Sequence, residues 1–435
     1  MLSTTHSNIL VIFLLLAFTG SSSFAQNGVS SPYSRYGLGN LSETSFHNSN
    51  GMGGLSLGLR NPQAINFSNP ASYTSFKPHS FVFEIGAETN SLKLSNSDTN
   101  QTTFNTTLSY LSFGFPVTKW WGSSFGLRPF SSVNYKITDE QTLNSIGDVS
   151  YIYEGTGGIN EVYWGNAVRI GGLSLGANVS YLFGPLTRSG SEIFKAANSF
   201  HYFTTERINI GGAYIKGGVQ YHHVIDSIKG VALKKKITII AGGVMDWGSN
   251  LRGRRTKVGV TFNDFILEPF LILPKDTVFN ETDTGTLVLP AGYGVGVSFD
   301  IGNQWLFGFD YYSRNWSDFK AFDIEDSLGD FSRLVFGLQF TPNAKADKGY
   351  FKTVQYRVGF HQETTYLVFN GVQLAKSGMS FGIGLPLKRI KSTLNLAFEL
   401  GTRGTTDNAL LKENYWKAGF GITLSDIWFV KRKYD

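Results

Sequence analysis

Residues 173–183 read Leu-Ser-Leu-Gly-Ala-Asn-Val-Ser-Tyr-Leu-Phe. The odd positions Leu173, Leu175, Ala177, Val179, Tyr181 and Phe183 are apolar, and Ser174, Gly176, Asn178 and Ser180 fall between them. A period of two is the signature of a β-strand whose side chains alternate between two environments. The same pattern recurs along the chain. Ala291, Tyr293, Val295, Val297 and Phe299 alternate with Gly292, Gly294, Gly296 and Ser298, and Met379, Phe381, Ile383 and Leu385 with Ser380, Gly382 and Gly384. Val354, Tyr356, Val358 and Phe360, then Leu394, Leu396, Phe398 and Leu400, and finally Trp416, Ala418, Phe420, Ile422 and Leu424 continue it.

A soluble β-sandwich also alternates, so the decision rests on what occupies the second face. That face is rich in glycine and carries Glu84, Glu88, Lys216, Asp310, Arg357, Glu399 and Lys417. A barrel lumen accommodates such charges, whereas each one facing lipid near the midplane would cost about 2 to 4 kcal/mol. The fold class expected is therefore all-β: a transmembrane antiparallel β-barrel of about 14 strands between Phe81 and Leu424. Trp120, Trp121, Trp305, Trp316, Trp416 and Trp428 fall near expected strand ends, where interfacial aromatic girdles belong.

Composition agrees. The 435 residues include 50 Gly, 36 Phe and 20 Tyr, and only 16% are charged. No apolar stretch of about 18 residues follows the N-terminal region, so helical membrane spans are not expected. At the N-terminus the apolar run Ile9–Phe18 leads to small residues ending at Ser23 and Ala25. This reads as a signal peptide over residues 1–25, cleaved near Ala25 before Gln26, and it places the mature chain in the outer membrane of a Gram-negative cell. Residues 26–79 do not alternate and are rich in Gly, Asn and Ser. A barrel of this size needs filling, so this segment is the expected N-terminal hatch or plug, with the barrel over residues 80–435.

The segment 51–76, GMGGLSLGLRNPQAINFSNPASYTSF, resembles the hatch of the long-chain fatty acid transporter (FadL) family, with Asn69-Pro70-Ala71 at the place of its Asn-Pro-Ala motif. LPAGYGVGVSF at 289–299, DYYSRNWSDF at 310–319 and YRVGF at 356–360 are similar to further stretches of that family, in the same order. The resemblance implies a 14-stranded barrel, a hatch in its lumen, and diffusion of hydrophobic or amphipathic molecules, long-chain fatty acid-like in kind, from an extracellular site and sideways into the membrane. Gln63, Asn66 and Ser68 are departures within the hatch, and no ligand-pocket residue can be carried over, so the ligand-binding residues stay unassigned. The gating candidates are Gly51, Gly53, Gly54, Asn69, Pro70 and Ala71. A plainer reading exists for each: a turn at Asn-Pro, and glycines that only permit unusual backbone angles.

Other chemistry is not indicated. With no Cys there is no thiol nucleophile and no Cys-bearing zinc site. His222-His223 and His361-x-Glu363 lack a third ligand and read as rim or loop residues, and Gly292-x-Gly294-x-Gly296 reads as strand glycine, not a dinucleotide loop. No Ser-His-acid signature of a lipase stands out, so the chain is not expected to be an enzyme and needs no cofactor. The net charge of +6 is better matched to anionic lipid headgroups than to nucleic acid. Lys234-Lys235-Lys236 and Arg252-x-Arg254-Arg255 are the expected lipid-contacting cations. The stretch Phe262–Val288 is unusually apolar for a connector and reads either as another strand pair or as a collecting surface for ligand. An outer-membrane scaffold or a barrel of a secretion system, with a protein partner, is the alternative function.

Overall fold

A computed structural model describes residues 31–427 except 97–99, 145, 197–198, 229–230, 264–273 and 388–391. The expected signal peptide, Trp428 and the apolar core of the 262–288 stretch lie outside the described residues. Fourteen antiparallel strands form one closed sheet. They are β1 Ser80–Ser95, β2 Asn100–Pro116, β3 Trp121–Leu143, β4 Gly147–Ile170, β5 Leu173–Phe194 and β6 His201–Ile228. β7 consists of two runs, Val231–Asp246 and Ser249–Phe262, and β8 of Asp276–Leu289 and Gly292–Ile301. β9 Trp305–Arg314, β10 Phe331–Phe340, β11 Gln355–Phe369, β12 Val372–Leu387, β13 Ser392–Arg403 and β14 Lys412–Ile427 complete it. The breaks in β7 and β8 are kinks in continuous ladders, since β6 pairs with both runs of β7, as Lys216 with Asp246 and Gly211 with Arg252.

Closure is made by β14 against β1, from Ile427 opposite Ser80 to Lys412 opposite Ser95. The end where Ser80 and Ile427 meet is called proximal here. The alternation sorts as its chemistry requires: Leu173, Leu175, Val179, Tyr181 and Phe183 are exposed on the outer face, and Ser174, Asn178, Ser180 and Leu182 are buried. Eleven residues of tilted strand match the roughly 25 Å apolar belt of an outer-membrane barrel. Glu84, Lys216, Asp310, Arg357 and Glu399 are buried on the inner side.

Trp120 and Trp305 are exposed at the proximal rim, and Trp416 packs with Phe104 near the distal end of the belt. Trp316 corrects the girdle reading. It is fully buried, stacked with Tyr366 and packed on Phe319, inside an apolar cluster at the distal end that also holds Tyr33, Leu38, Phe130 and Ile159. The barrel wall is lopsided: β3 to β6 run for 22 to 28 residues, while β9 and β10 have 10 each.

Candidate functional site

Residues 31–79 contact the inner face of the wall, and glycines make the room. A Cβ on Gly359 would stand 2.0 Å from the carbonyl carbon of Met52, one on Gly242 2.0 Å from the Leu57 oxygen, and one on Gly122 2.1 Å from the Tyr73 oxygen. Gly176 receives Pro70 and the Ala71 nitrogen, and Gly218 receives Asn69 and the Pro70 ring. These wall glycines are members of the alternating Gly face read from the sequence. Their place against an irregular backbone could not be read there, because any outward or inward strand glycine gives the same pattern.

All six gating candidates touch this wall. Asn69 is fully buried and caps the short 3-10 helix Pro70–Ser75, its Oδ1 accepting from the Ala71 N–H at 3.1 Å. Its Nδ2 donates to the Leu57 carbonyl at 2.9 Å and the Val219 carbonyl at 3.2 Å. The turn reading of Asn69-Pro70-Ala71 and the wall contact are thus one arrangement. Gly53 and Gly54 hold φ of +71° and +90°, conformations that favour glycine. The Gly53 N–H donates to Ser380 Oγ at 2.6 Å and its carbonyl accepts from Arg333 at 2.9 Å. Gly51 faces Gly382, whose Cα would lie 2.8 Å from an added Cβ.

Polar pegs from the wall, absent from the sequence reading of the site, hold the rest. The Asp310 carboxylate accepts from the N–H groups of Ser56 at 2.6 Å and Leu57 at 2.8 Å. Gln220 donates to the Leu57 and Leu59 carbonyls at 2.9 and 3.0 Å, and Ser298 Oγ to the Gly58 carbonyl at 2.6 Å. Buried backbone groups of an irregular segment require such partners. The alternation marks Asp310 as an inward charge; only the structure shows which segment it caps.

A charge cluster lies beside Gly53. Glu43 of the segment meets Lys417 at 2.6 Å and Arg333 and Lys376 at 3.9 Å each. Glu363 meets Arg333 at 3.2 Å and Lys376 at 3.5 Å. Burial alone would raise the Glu43 carboxyl, but Lys417, Arg333 and Lys376 together hold it well below the usual range. His47, buried on the neighbouring turn, is pushed down to about 4 by desolvation, which outweighs the opposing pull of Glu43. His361 is also fully buried, facing Glu363 and Glu399, so it is neither a rim nor a loop residue. Among the described residues no group of three His, Cys, Asp or Glu is placed to hold a metal.

The wall itself is incomplete between β2 and β3. These strands pair only over Leu111–Pro116 and Gly122–Leu127, although both continue toward the distal end. β3 bulges between Pro129 and Ser131, and Phe130 and Ser131 are both buried, so the strand turns inward away from its neighbour. The segment takes up the vacated edge: Asn40 and Leu41 pair with Ser132 and Ser131, and the Ser42 N–H donates to the Phe130 carbonyl at 2.9 Å. Beside this gap is a cavity of about 380 Å³, lined by Phe46, Phe67, Tyr110 and Phe130 and also by charged groups, Glu43, Arg128 and Lys376 among them. On the proximal side of the segment a second cavity of about 730 Å³ is bordered by Asn48, Met52, Arg60 and Gln63. The segment lies between the two.

A family model described as BamG matches residues 7–435. The chain belongs to the BamG family. No curated protein matches this BamG-family chain. Among solved structures it is similar to the toluene transporter TodX of Pseudomonas putida, at 15% identity and a TM-score of 0.56 over 90% of this chain and 100% of that one. A FadL homologue of Pseudomonas aeruginosa aligns at 10% identity and 0.58 over 90% and 100%. The toluene transporter TbuX of Ralstonia pickettii aligns at 14% and 0.51 over 89% and 98%. At these identities the likeness establishes a shared barrel fold for the BamG-family chain, which is the level at which the resemblance to the FadL family is answered.

Proposed function

We propose that this chain is an outer-membrane channel through which hydrophobic or amphipathic small molecules diffuse, with no bond made or broken. In this reading residues 1–25 direct secretion and are cleaved near Ala25, residues 26–79 form the hatch, and the cavity beside it receives a long-chain fatty acid-like or similarly greasy guest. The observation that carries the proposal is the unpaired stretch between β2 and β3, which lies beside a cavity lined by aromatic and charged side chains together, as an amphipathic guest would need. An exit at that place lets a poorly soluble molecule pass into the bilayer without crossing water. Gly51, Gly53, Gly54, Asn69, Pro70 and Ala71 are the hatch residues whose wall contacts must yield if the lumen is to open toward the proximal end. The test is flux of a hydrophobic tracer into proteoliposomes, with the full chain compared to a variant lacking residues 51–72. Faster flux in the deletion supports the hatch; equal flux rejects it.

The second reading, an outer-membrane scaffold or secretion-system barrel holding a protein partner, is favoured by how firmly the segment is seated. Glycine contacts and buried hydrogen bonds from strands all around the wall suit a permanent seal. Native purification with mass spectrometry separates the two: a bound hydrophobic ligand favours the channel, and a stoichiometric protein without ligand favours the scaffold.

A further inference from the structure

The basic stretch Arg252-Gly253-Arg254-Arg255 is divided by the alternation of β7. Arg255 turns inward, where its guanidinium meets Asp283 at 2.5 Å and Glu206 at 4.0 Å and lies 4.2 Å from the Phe322 ring centre. Lys257 and Arg188 share the same Glu206, at 3.7 and 3.8 Å. Arg252 and Arg254 are exposed on the other face, together with Arg207 of β6. The register brings the three together: Gly211 is opposite Arg252, Asn209 opposite Arg254 and Arg207 opposite Thr256.

Around them on that face are Thr282, Thr284 and Thr286 of β8 and Thr187 of β5. The carboxylates at this height, Glu206, Glu281 and Asp283, are paired in register with Lys257 and Arg255 on the inner side. Among the described residues no carboxylate pairs with Arg207, Arg252 or Arg254; Arg207 only reaches the Asn209 side chain at 3.4 Å. Three neighbouring guanidiniums without a counter-ion repel one another and invite an anion.

Their height identifies the anion. Exposed Met245, near the end of the first run of β7, and Trp247, in the kink between its runs, lie on the proximal side of them, and Tyr181 and Phe183 flank them on β5. The Tyr181 hydroxyl would be 2.8 Å from a Cβ on Gly211, the residue facing Arg252. Amphipathic rings of this kind mark the boundary between acyl chains and headgroups. They stand toward the distal end, where connections such as 315–330 and 404–411 are longer than proximal turns such as 171–172 and 302–304, as on the extracellular side of such barrels.

We propose that Arg207, Arg252 and Arg254 form a docking site for the phosphate-bearing headgroup of an outer-leaflet lipid, of the lipid A type. The guanidinium fork matches phosphate oxygens in pairs, while the belt below would pack the acyl chains. This goes beyond transport and does not depend on it.

The test uses the full purified chain in detergent, with bisphosphorylated lipid A as the probe and native mass spectrometry as the readout. Dephosphorylated lipid A and inorganic phosphate are the comparators, and heat-modifiable migration confirms that each variant is a folded barrel. The unsubstituted chain is expected to retain the bisphosphorylated lipid over the dephosphorylated one. Combining Arg207→Gln, Arg252→Gln and Arg254→Gln is expected to weaken retention on the order of 100-fold, about a factor of five for each cation near an anionic headgroup. Combining the three Arg→Lys changes restores part of it. Equal retention by the Gln variant overturns the proposal, as does displacement of the lipid by inorganic phosphate at equal concentration, which would assign the site to free phosphate.

Discussion

Gly359 of β11 and Met52 of the lumen segment touch backbone to backbone, with 2.0 Å between the Met52 carbonyl carbon and the place a Cβ on Gly359 would take. No side chain fits there without moving either the wall or the segment. Gly359→Val is therefore expected to unseat residues around Met52. Overpacking of this kind costs about 1 to 3 kcal/mol. The expected readout is faster trypsin cleavage at Arg60 with the barrel still heat-modifiable; unchanged cleavage rejects the seating role of the glycine.

Glu43 carries the only carboxylate that the segment places among Lys417, Arg333 and Lys376. Removing one partner of a buried ion cluster costs about 3 to 5 kcal/mol, because the others are left uncompensated. Glu43→Gln should raise hydrogen exchange over residues 40–54 far more than elsewhere in the chain. If exchange there stays as in the unsubstituted protein, the cluster is not what holds this part of the segment.

Acid should loosen the same region, and both signs agree. His47 is lowered from 6.5 to about 4 by burial, so the folded state prefers it neutral; its stabilising contribution is present above pH 6.5 and is lost as the pH falls toward about 4. Glu43 is held below 4.5 by its cationic neighbours, so its contribution is present above that value and is lost on further acidification. Exchange over residues 43–54, corrected for intrinsic rates, is expected to rise as pH falls through this window. His47→Gln should remove the part between 6.5 and about 4; a flat profile in the unsubstituted chain would contradict the assignment.

Asn69 performs two tasks that can be separated. Asn69→Asp keeps an acceptor for the Ala71 N–H but loses the donors to Leu57 and Val219, whereas Asn69→Ala loses both. The cap is worth about 1 kcal/mol, and each stranded buried carbonyl costs about 1 to 3 kcal/mol. Thermal melting should therefore rank the unsubstituted chain above both variants, with Asn69→Ala below it through two losses.

Ser42→Pro removes the N–H that bonds the Phe130 carbonyl at the free edge of β3. The flanking Leu41 is already extended, so proline fits the backbone direction and the barrel should still form. Tracer flux is expected to increase if the paired segment narrows the wall gap. Unchanged flux would mean that the gap is not on the path.

Much of the architecture was legible in the sequence, because strand alternation is local: each residue's face follows from its neighbour two positions away. Leu173–Phe183 alone separated lipid-facing from lumen-facing residues, and the charges at Glu84, Lys216, Asp310, Arg357 and Glu399 were placed inside on the same ground. Repeating that pattern along the chain gave the strand number. What the tertiary structure decided are relationships between positions far apart in the chain. Trp316 could not be told from a girdle tryptophan until Tyr366 and Phe319 closed over it. His361 could not be told from a rim histidine until Glu363 and Glu399 faced it across strands. The use of Gly242 and Gly359 as seats depends on an irregular segment with no periodicity to announce its course. The gap above Leu111 and Leu127 is a failure of pairing between two strands whose own sequences remain strand-like, and only the bulge at Pro129 and the closure of the whole sheet determine where it falls.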